Sequence, residues 1–353
     1  MQLKNKRRTW TNNGKKLSLN LFYKSPTAYN FLRLQKVNLP APSTIRRWIG
    51  QTKFLPGINN IFFSHIEKKF EHKSYKEKAC TVCFDEMYIK EFLEYSKDYD
   101  FIEGFQDLET YGRINKSANC VLVFMARGIY TQWKFPIAYY LAHSGVNKSI
   151  LKELITDIVK KIFDVGLCPK LIVCDQSTSN QSALKLLNIS EENPFFFVNG
   201  HKIFTLYDVP HLLISVRNNF IEACFQKDNK IFSFNDIKET YKIDKSNEKI
   251  KLAVQVFSHS MSSAIRTCAE TEQLLSKTAF DTADFIEFMN NLFDCLNSKS
   301  LFSHNQYNAA LNHSGTVKTF LLEASKYFLN LTKIKKGKIS QPPCFKAVVL
   351  NLF

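Results

Sequence analysis

Two aspartates at the ends of apolar runs are the residues in this chain whose setting suggests chemistry. In Ile172-Val-Cys-Asp-Gln176 a β-rich stretch, 171–174, delivers Asp175 to the end of what reads as a buried strand. The small polar residues Ser-Thr-Ser-Asn180 follow and start a helix. Much earlier, Thr81-Val-Cys-Phe-Asp85 repeats the arrangement. A single strand-end aspartate is ordinarily a turn residue or a helix cap. Two that meet across adjacent strands can begin a divalent-metal site, because hard cations take carboxylate oxygens. Two such ions about 4 Å apart can activate a water or a 3′-hydroxyl and stabilise the leaving oxygen of a phosphodiester displacement. Glu86 is a poor third ligand, since successive strand side chains face opposite ways.

The elements that must position these carboxylates follow from periodicity. Strands are expected at 79–84, 120–124 and 135–141, with Gly128 and Trp133-Lys134 at the intervening turn. Ser149 caps a helix over 150–163, whose apolar positions Leu151, Leu154, Ile155, Ile158, Val159 and Ile162 recur at helical spacing. Gly166 ends it. A strand at 171–174 and a helix at 182–187 come next. Three strands, a crossover helix, a strand and a helix describe the first half of an RNase H-like fold. In it the ends of the first and fourth strands are neighbours, so Asp85 and Asp175 converge.

Charge is spread unevenly. Residues 1–66 hold 12 Lys and Arg and no acid, which is +12 of the net +16. An acid-free basic arm suits a polyanion, and a solvated tail is the plainer reading for residues 1–20. Ser25-Pro26 opens a short helix bearing Tyr29, Phe31, Leu32 and Leu34, and Ser43 caps a second with Ile45, Arg46, Arg47 and Trp48. This is the pattern of a helix-turn-helix, with Lys36, Arg46 and Arg47 as candidate phosphate contacts and a solvated basic face as the alternative. Nine cysteines, an odd number in apolar runs, argue for reduced thiols in the cytosol or nucleus. The basic N-terminus lacks a signal peptide's apolar core, and no apolar run approaches membrane-spanning length.

After Phe195-Phe-Phe197 the character turns helical. Asp208-Val-Pro-His211 opens one helix, residues 227–251 read as a charged connector, and 252–265, 282–296 and 316–331 read as amphipathic helices. A basic break at 333–338 precedes an apolar piece, 344–353, that reads as a truncated element.

Together these residues spell out a family. Phe84-Asp-Glu-Met-Tyr-Ile-Lys90, Asp100-Phe-Ile-Glu-Gly-Phe105, Leu122-Val-Phe-Met-Ala-Arg-Gly128, Trp133-Lys-Phe-Pro-Ile-Ala138, Ile150-Leu-Lys-Glu-Leu154 and Val173-Cys-Asp-Gln176 closely resemble the P-element transposases, including their THAP-domain relatives. Pro210-His-Leu-Leu213, Arg217-Asn-Asn219, Lys251-Leu-Ala253, Phe257-Ser-His259 and Phe293-Asp-Cys-Leu-Asn-Ser298 continue the match over about residues 20–353. The resemblance implies an α/β RNase H-like domain of the DDE transposase/integrase type, an all-α GTP-binding insertion domain and a small N-terminal helix-turn-helix. It places a flexible lead-in at 1–20, the helix-turn-helix region at 21–66, the first part of the catalytic domain at 75–200 and the insertion at 201–353.

The same resemblance makes Asp85 and Asp175 catalytic ligands of Mg²⁺, with Asp85 bridging two ions and Asp175 on one. It makes Phe293, Asp294 and Asn297 the guanine-reading residues for a GTP that is bound and not hydrolysed. The plainer reading of Asp294 and Asn297 is a helix C-terminus stopped by asparagine. The implied partners are DNA (transposon ends and target DNA), GTP and further copies of the chain, in the nucleus and away from membranes. His211 and Arg217 read as structural contacts at the domain junction.

The departures are the absence of the THAP finger and of the catalytic glutamate's Asp-x-x-Glu motif. Smaller ones are Ser177, Val209 and Ile214 where glycine, proline and lysine are common. Cys80-x2-Cys83 with Cys120 imitates part of the finger's spacing, but no histidine follows as required. The expected function is a transposon-derived DNA-binding protein whose Mg-dependent cleavage and strand-transfer site is incomplete. The alternatives are a fragment of an active cut-and-paste transposase, or a domesticated DNA- and GTP-binding protein without nuclease activity.

Overall fold

In the computed structural model of the chain, which describes residues 9–50, 54–97, 99–240, 254–298, 303–309, 311 and 315–352, the acid-free N-terminal stretch folds into three short helices. They are α1 (Asn12–Lys24), α2 (Pro26–Leu34) and α3 (Pro42–Gly50). The flexible lead-in expected over 1–20 therefore gives way to helix from Asn12. Thr11 starts α1 by accepting from the Gly14 N–H at 3.2 Å. Ser25 serves both neighbours: its N–H donates to Leu21 and its hydroxyl caps α2 through the Ala28 N–H at 3.1 Å. Tyr29 is fully buried, and its hydroxyl donates to the Pro40 carbonyl at 2.8 Å, fixing the α2–α3 turn.

Residues 56–353 form the second unit, and its sheet is where alternation does most to shape the molecule. Its elements begin with β1 (Gly57–Ile58), α4 (Asn60–Phe70), α5 (Tyr75–Lys78), β2 (Ala79–Tyr88), β3 (Glu94–Ser96), β4 (Phe101–Glu103), β5 (Phe105–Asp107) and β6 (Arg113–Ser117). Then come β7 (Cys120–Gly128), β8 (Lys134–Ala142), α6 (Lys148–Asp164), β9 (Cys168–Cys174), α7 (Thr178–Leu186), β10 (Phe195–Val198) and β11 (His201–Tyr207). The large sheet has the order β10-β11-β9-β2-β7-β8-β5-β6, with β1 on β8. β2, β7 and β8 form the antiparallel meander, and β9 lies parallel to both β2 and β11.

One face of this sheet is sealed. Val82, Phe84, Leu122, Phe124, Ile172 and Ile203 are buried in one cluster with six apolar side chains of α6 and with Phe63, Ile66 and Phe70 of α4. Each such burial contributes about 1.5–3 kcal/mol. Helix α4 begins inside the span 21–66 expected for the DNA-binding region and runs past its end, yet it packs on the sheet: Phe62 lies 6.0 Å from Phe135 and Phe70 lies 4.9 Å from the Trp133 ring. Asn147, not Ser149, caps α6, and Ser177 starts α7 earlier than expected.

The sheet also runs past residue 200, where the insertion was expected to begin. β10 and β11 are a hairpin closed by Asn199 and Gly200, both at positive φ. That is the backbone a two-residue hairpin turn requires.

The remaining elements are α8 (Val209–Glu222), β12 (Cys224–Lys227), β13 (Lys230–Phe232), α9 (Phe234–Thr240), α10 (His259–Glu270), α11 (Ala279–Leu296), α12 (Thr316–Asn330), β14 (Thr332–Lys335), β15 (Lys338–Ser340) and α13 (Pro343–Leu352). The helices expected here are joined by a four-stranded sheet, β13-β12-β14-β15, which the all-α expectation lacked. Antiparallel pairing of β12 with β14 clasps the segment's two ends. The Phe285 ring contacts those of Phe220, Phe225, Phe232 and Phe257 at 4.9–6.0 Å. Buried Asp236 accepts from the Thr278 and Thr282 hydroxyls at 2.8 and 2.6 Å. Within the helix expected over 252–265, residues 254–256 are helical, a break follows at 257–258, and Ser258 then starts α10 by accepting from Met261. The Lys251-Leu-Ala253 motif lies outside the described residues.

Helix α13 returns to the sheet, where the Asn351 amide accepts from the Tyr207 N–H and donates to its carbonyl, both at 2.8 Å. Among the described residues no helix is long and apolar enough to cross a membrane.

Candidate active-site cleft

Register places the two aspartates together. β2 and β9 pair in parallel through Cys83↔Val173, so Asp85 and Asp175 each stand two residues further on, at one level and on one face. β11 continues the row, because Tyr207 pairs with Cys174 and Asp208 follows at the level of Asp175. Asp85, Asp175, Asp208 and His211 line a cleft of ≈ 330 Å³ whose apolar walls include Cys83, Val123, Met125 and Val173. His211, expected as a junction contact, is on this wall.

Each carboxylate is anchored locally. Asp85 Oδ1 accepts from the Glu86 N–H at 2.9 Å. Asp175 Oδ1 accepts from the Ser177 N–H at 3.0 Å and from Asn180 Nδ2 at 2.6 Å, tying β9 to the start of α7. Asp208 caps α8 through the His211 N–H at 3.2 Å and donates its own N–H to Cys174 at 2.8 Å. The plain reading of a strand-end aspartate therefore also holds: Asp175 is a turn-former as well as a cleft residue.

The cleft is short of positive charge. Burial pushes the Asp85 carboxyl up, the Asp175 charge pushes it further, and Asp208 adds to this; the Glu86 N–H and His211 oppose it. Like charges held this way favour a cation between them, and an all-oxygen pair suits a hard one such as Mg²⁺. Glu86 keeps to the other face, as its position in the strand dictates. Its Oε1 accepts from the Val146 N–H at 3.0 Å, holding the β8–α6 loop, and burial raises its carboxyl. Among the described residues no three His, Cys, Asp or Glu side chains are gathered closely enough to hold a metal ion by themselves.

The other candidate residues lie elsewhere. On α11, Phe293 lines an apolar crevice with Leu212, Leu213 and Val216 of α8. Its neighbour Asp294 accepts from Asn305 Nδ2 at 2.9 Å and Asn290 Nδ2 at 3.4 Å, and burial raises its carboxyl. Asn297 is the exposed C-cap of the helix, its N–H donating to Phe293. In the N-terminal unit, Arg46 and Arg47 are exposed on α3, and Lys36 is exposed in the preceding turn at φ 62°.

Three family models match the chain in this order: the Transposable element P transposase-like HTH domain at residues 1–48, the TNP-like RNase H N-terminal domain at 54–188, and the TNP-like GTP-binding insertion domain at 215–310. Across these three consecutive segments the chain is similar to the P-element transposases. It is 27% identical to the Transposable element P transposase of Drosophila melanogaster over 297 residues, 78% of this chain and 37% of that protein. It is 22% identical to the DNA transposase THAP9 of Homo sapiens over 356 residues, 92% of this chain and 39% of that protein. The chain thus spans under two fifths of either curated relative. Its fold matches that in the Drosophila P element transposase strand transfer complex with a TM-score of 0.76 at 24% identity, covering 98% of this chain and 79% of the other. Within the P-element pattern, Asp85 and Asp175 fall in the RNase H segment, and Asp294 and Asn297 in the GTP-binding segment. That segment's start at 215, inside α8, agrees with β11 belonging to the sheet.

Proposed function

We propose that this P-element-type chain binds DNA through its basic helical unit and presents the phosphodiester to the Asp85–Asp175 cleft. The observation that carries the reading is the parallel register of β2 and β9, which sets the two carboxylates level on one face. Asp85 and Asp175 would hold Mg²⁺, which when bound lowers the pKa of an attacking water or hydroxyl and neutralises charge on the phosphate. The chain's own part is to orient: Asn180 and the Ser177 N–H fix Asp175, and the Glu86 N–H fixes Asp85. With Asp208 committed to capping α8, Asp85 and Asp175 alone leave a second ion's shell short, so Mg²⁺ binding by this cleft is expected to be weak. Nuclear residence, GTP held at Asp294 and Asn297, and pairing of copies on two DNA ends belong to the same reading.

Titration with Mn²⁺, followed by electron paramagnetic resonance, tests the cleft. Asp85→Asn and Asp175→Asn should each abolish the bound signal, and retention in both variants would remove the metal role. DNA affinity should fall steeply with salt, about 0.9 in the log–log slope per phosphate contacted. Arg46→Ala and Arg47→Ala should flatten that slope, and an unchanged slope would take α3 out of the interface.

A further inference from the structure

Beside the cleft, on the same sheet face, the β10–β11 hairpin carries a feature that the transposase reading leaves unused. Strand alternation sends Phe195 and Phe197 of β10 and Lys202 and Phe204 of β11 outward, while Phe196, Val198, Ile203 and Thr205 are buried behind them. Phe197 is 63% and Phe204 42% exposed. The Phe195 ring lies 5.6 Å from Phe197 and 5.9 Å from Phe204. Lys202 Nζ stands 3.5 Å from the Phe195 centroid and 5.2 Å from that of Phe204. No acidic residue occurs between Asn193 and Tyr207. The Asn199-Gly200 turn and the pairing of β11 with β9 make the mount rigid.

We propose that this hairpin is a stacking platform for unpaired bases of a DNA strand whose backbone leads on toward the Asp85–Asp175 cleft. Phe197 and Phe204 meet the half-buried Phe195 edge-to-face, and each is exposed enough to offer ring surface to a base; every base has a π-face, so stacking tolerates any sequence. The ammonium among the rings selects the occupant. Covering it with an apolar protein surface would strip its water without return, whereas a phosphate backbone supplies the opposite charge. Direction follows from register: Phe204 pairs with Leu171, and Leu171, Val173 and Asp175 share its face. At about 3.3 Å per residue, the ring sits roughly 13 Å from the level of the carboxylates, within reach of a few nucleotides. Only this direction rests on the cleft reading; the platform itself needs no metal.

The test uses the full chain without divalent metal, in excess duplex DNA to occupy the basic helical unit. The probe is a single-stranded oligonucleotide carrying one 5-iodouracil or one 2-aminopurine. Photo-crosslinks should map to residues 195–207, and 2-aminopurine fluorescence should be quenched on binding. Phe197→Leu and Phe204→Leu keep apolar bulk without a π-face; each should weaken binding roughly five- to hundred-fold. Phe204→Trp should restore it, and Leu322→Ala, at an exposed position of α12 away from both the hairpin and the cleft, should leave it unchanged. Crosslinks elsewhere, or leucine variants that bind like the parent, would overturn the proposal and mark the face as covered by protein. If a leucine variant fails to fold, the crosslink map of the parent chain decides. Loss of Mn²⁺ binding with the platform intact would fault the cleft reading alone.

Discussion

The large sheet and the segment that follows it reach their candidate sites by opposite routes. In the sheet, Asp85 lies within β2 while Asp175 and Asp208 stand just past the ends of β9 and β11, and parallel register brings the three level. One face is sealed by α4 and α6, and the other keeps its polar row open. In the insertion, Phe293, Asp294 and Asn297 share little more than one helical turn, yet their side chains go to different surroundings: a crevice against α8, a pair of asparagine amides, and the exposed helix end. Its interior is filled by phenylalanines around Phe285 and a buried polar knot at Asp236. Tertiary register gathers the candidate residues in the first region, while local spacing only nominates residues in the second.

The largest effect that could break this contrast is Phe285→Ala, which removes the ring shared by four others and should cost about 3–5 kcal/mol. With Trp10 and Trp48 replaced by Phe, Trp133 reports the sheet alone, so urea unfolding should show helix loss by circular dichroism before the Trp133 change. Coincident transitions would mean that both regions stand or fall together. Next is Thr282→Val, which takes a donor from buried Asp236 and an acceptor from the Ser233 N–H; the expected cost is about 1–3 kcal/mol in the same denaturation.

Asp294→Ala should weaken guanine-nucleotide binding by about tenfold in calorimetry, in keeping with a lost charge-assisted hydrogen bond. Unchanged binding would leave Asp294 as a helix-end residue only.

The smallest effect sharpens the sheet's side. Asp85 holds its proton to higher pH in the folded chain than in the unfolded one, so its contribution to stability falls as pH rises through its folded-state pKa. Without metal, Asp85→Asn should therefore be slightly more stable than the parent near neutrality, by about 0.5 kcal/mol once solvent screening is counted. The gap should close on acidification in melting curves, and saturating Mg²⁺ should reverse the order. A gap that widens in acid would mean that Asp85 is not crowded by like charge.

How legible was this in the sequence? The meander, α6 and the meeting of Asp85 with Asp175 were readable, because 79–84 and 171–174 are apolar runs and α6 keeps its helical period over 17 residues. Helix α1 was hidden, since its lysines and asparagines leave only a narrow apolar stripe; the Thr11-to-Gly14 cap was its local sign. The β10–β11 hairpin did announce itself through Asn199-Gly200, but the change toward helical composition nearby outweighed that signal. Strands β12 and β14 could not be read, as pairs of three or four residues closed across a hundred others carry no local pattern. Asp208 looked like a cap and is one; its presence in the cleft depends on where β11 ends beside β9.

Asn351 has a consequence of another kind. The bonds from β10 and the residue before it reach along β11 only as far as the Thr205 N–H, which donates to Pro194, and this would leave the outer edge of Tyr207 with a bare donor and acceptor. The Asn351 amide presents the same donor–acceptor pair as a peptide group and occupies both. One side chain thus stands in for a missing strand and denies that stretch of sheet edge to a strand from another molecule, the contact by which exposed edges aggregate. Helix α13 is in this sense a guard on the sheet, holding closed a flank next to the cleft where a foreign strand could otherwise add.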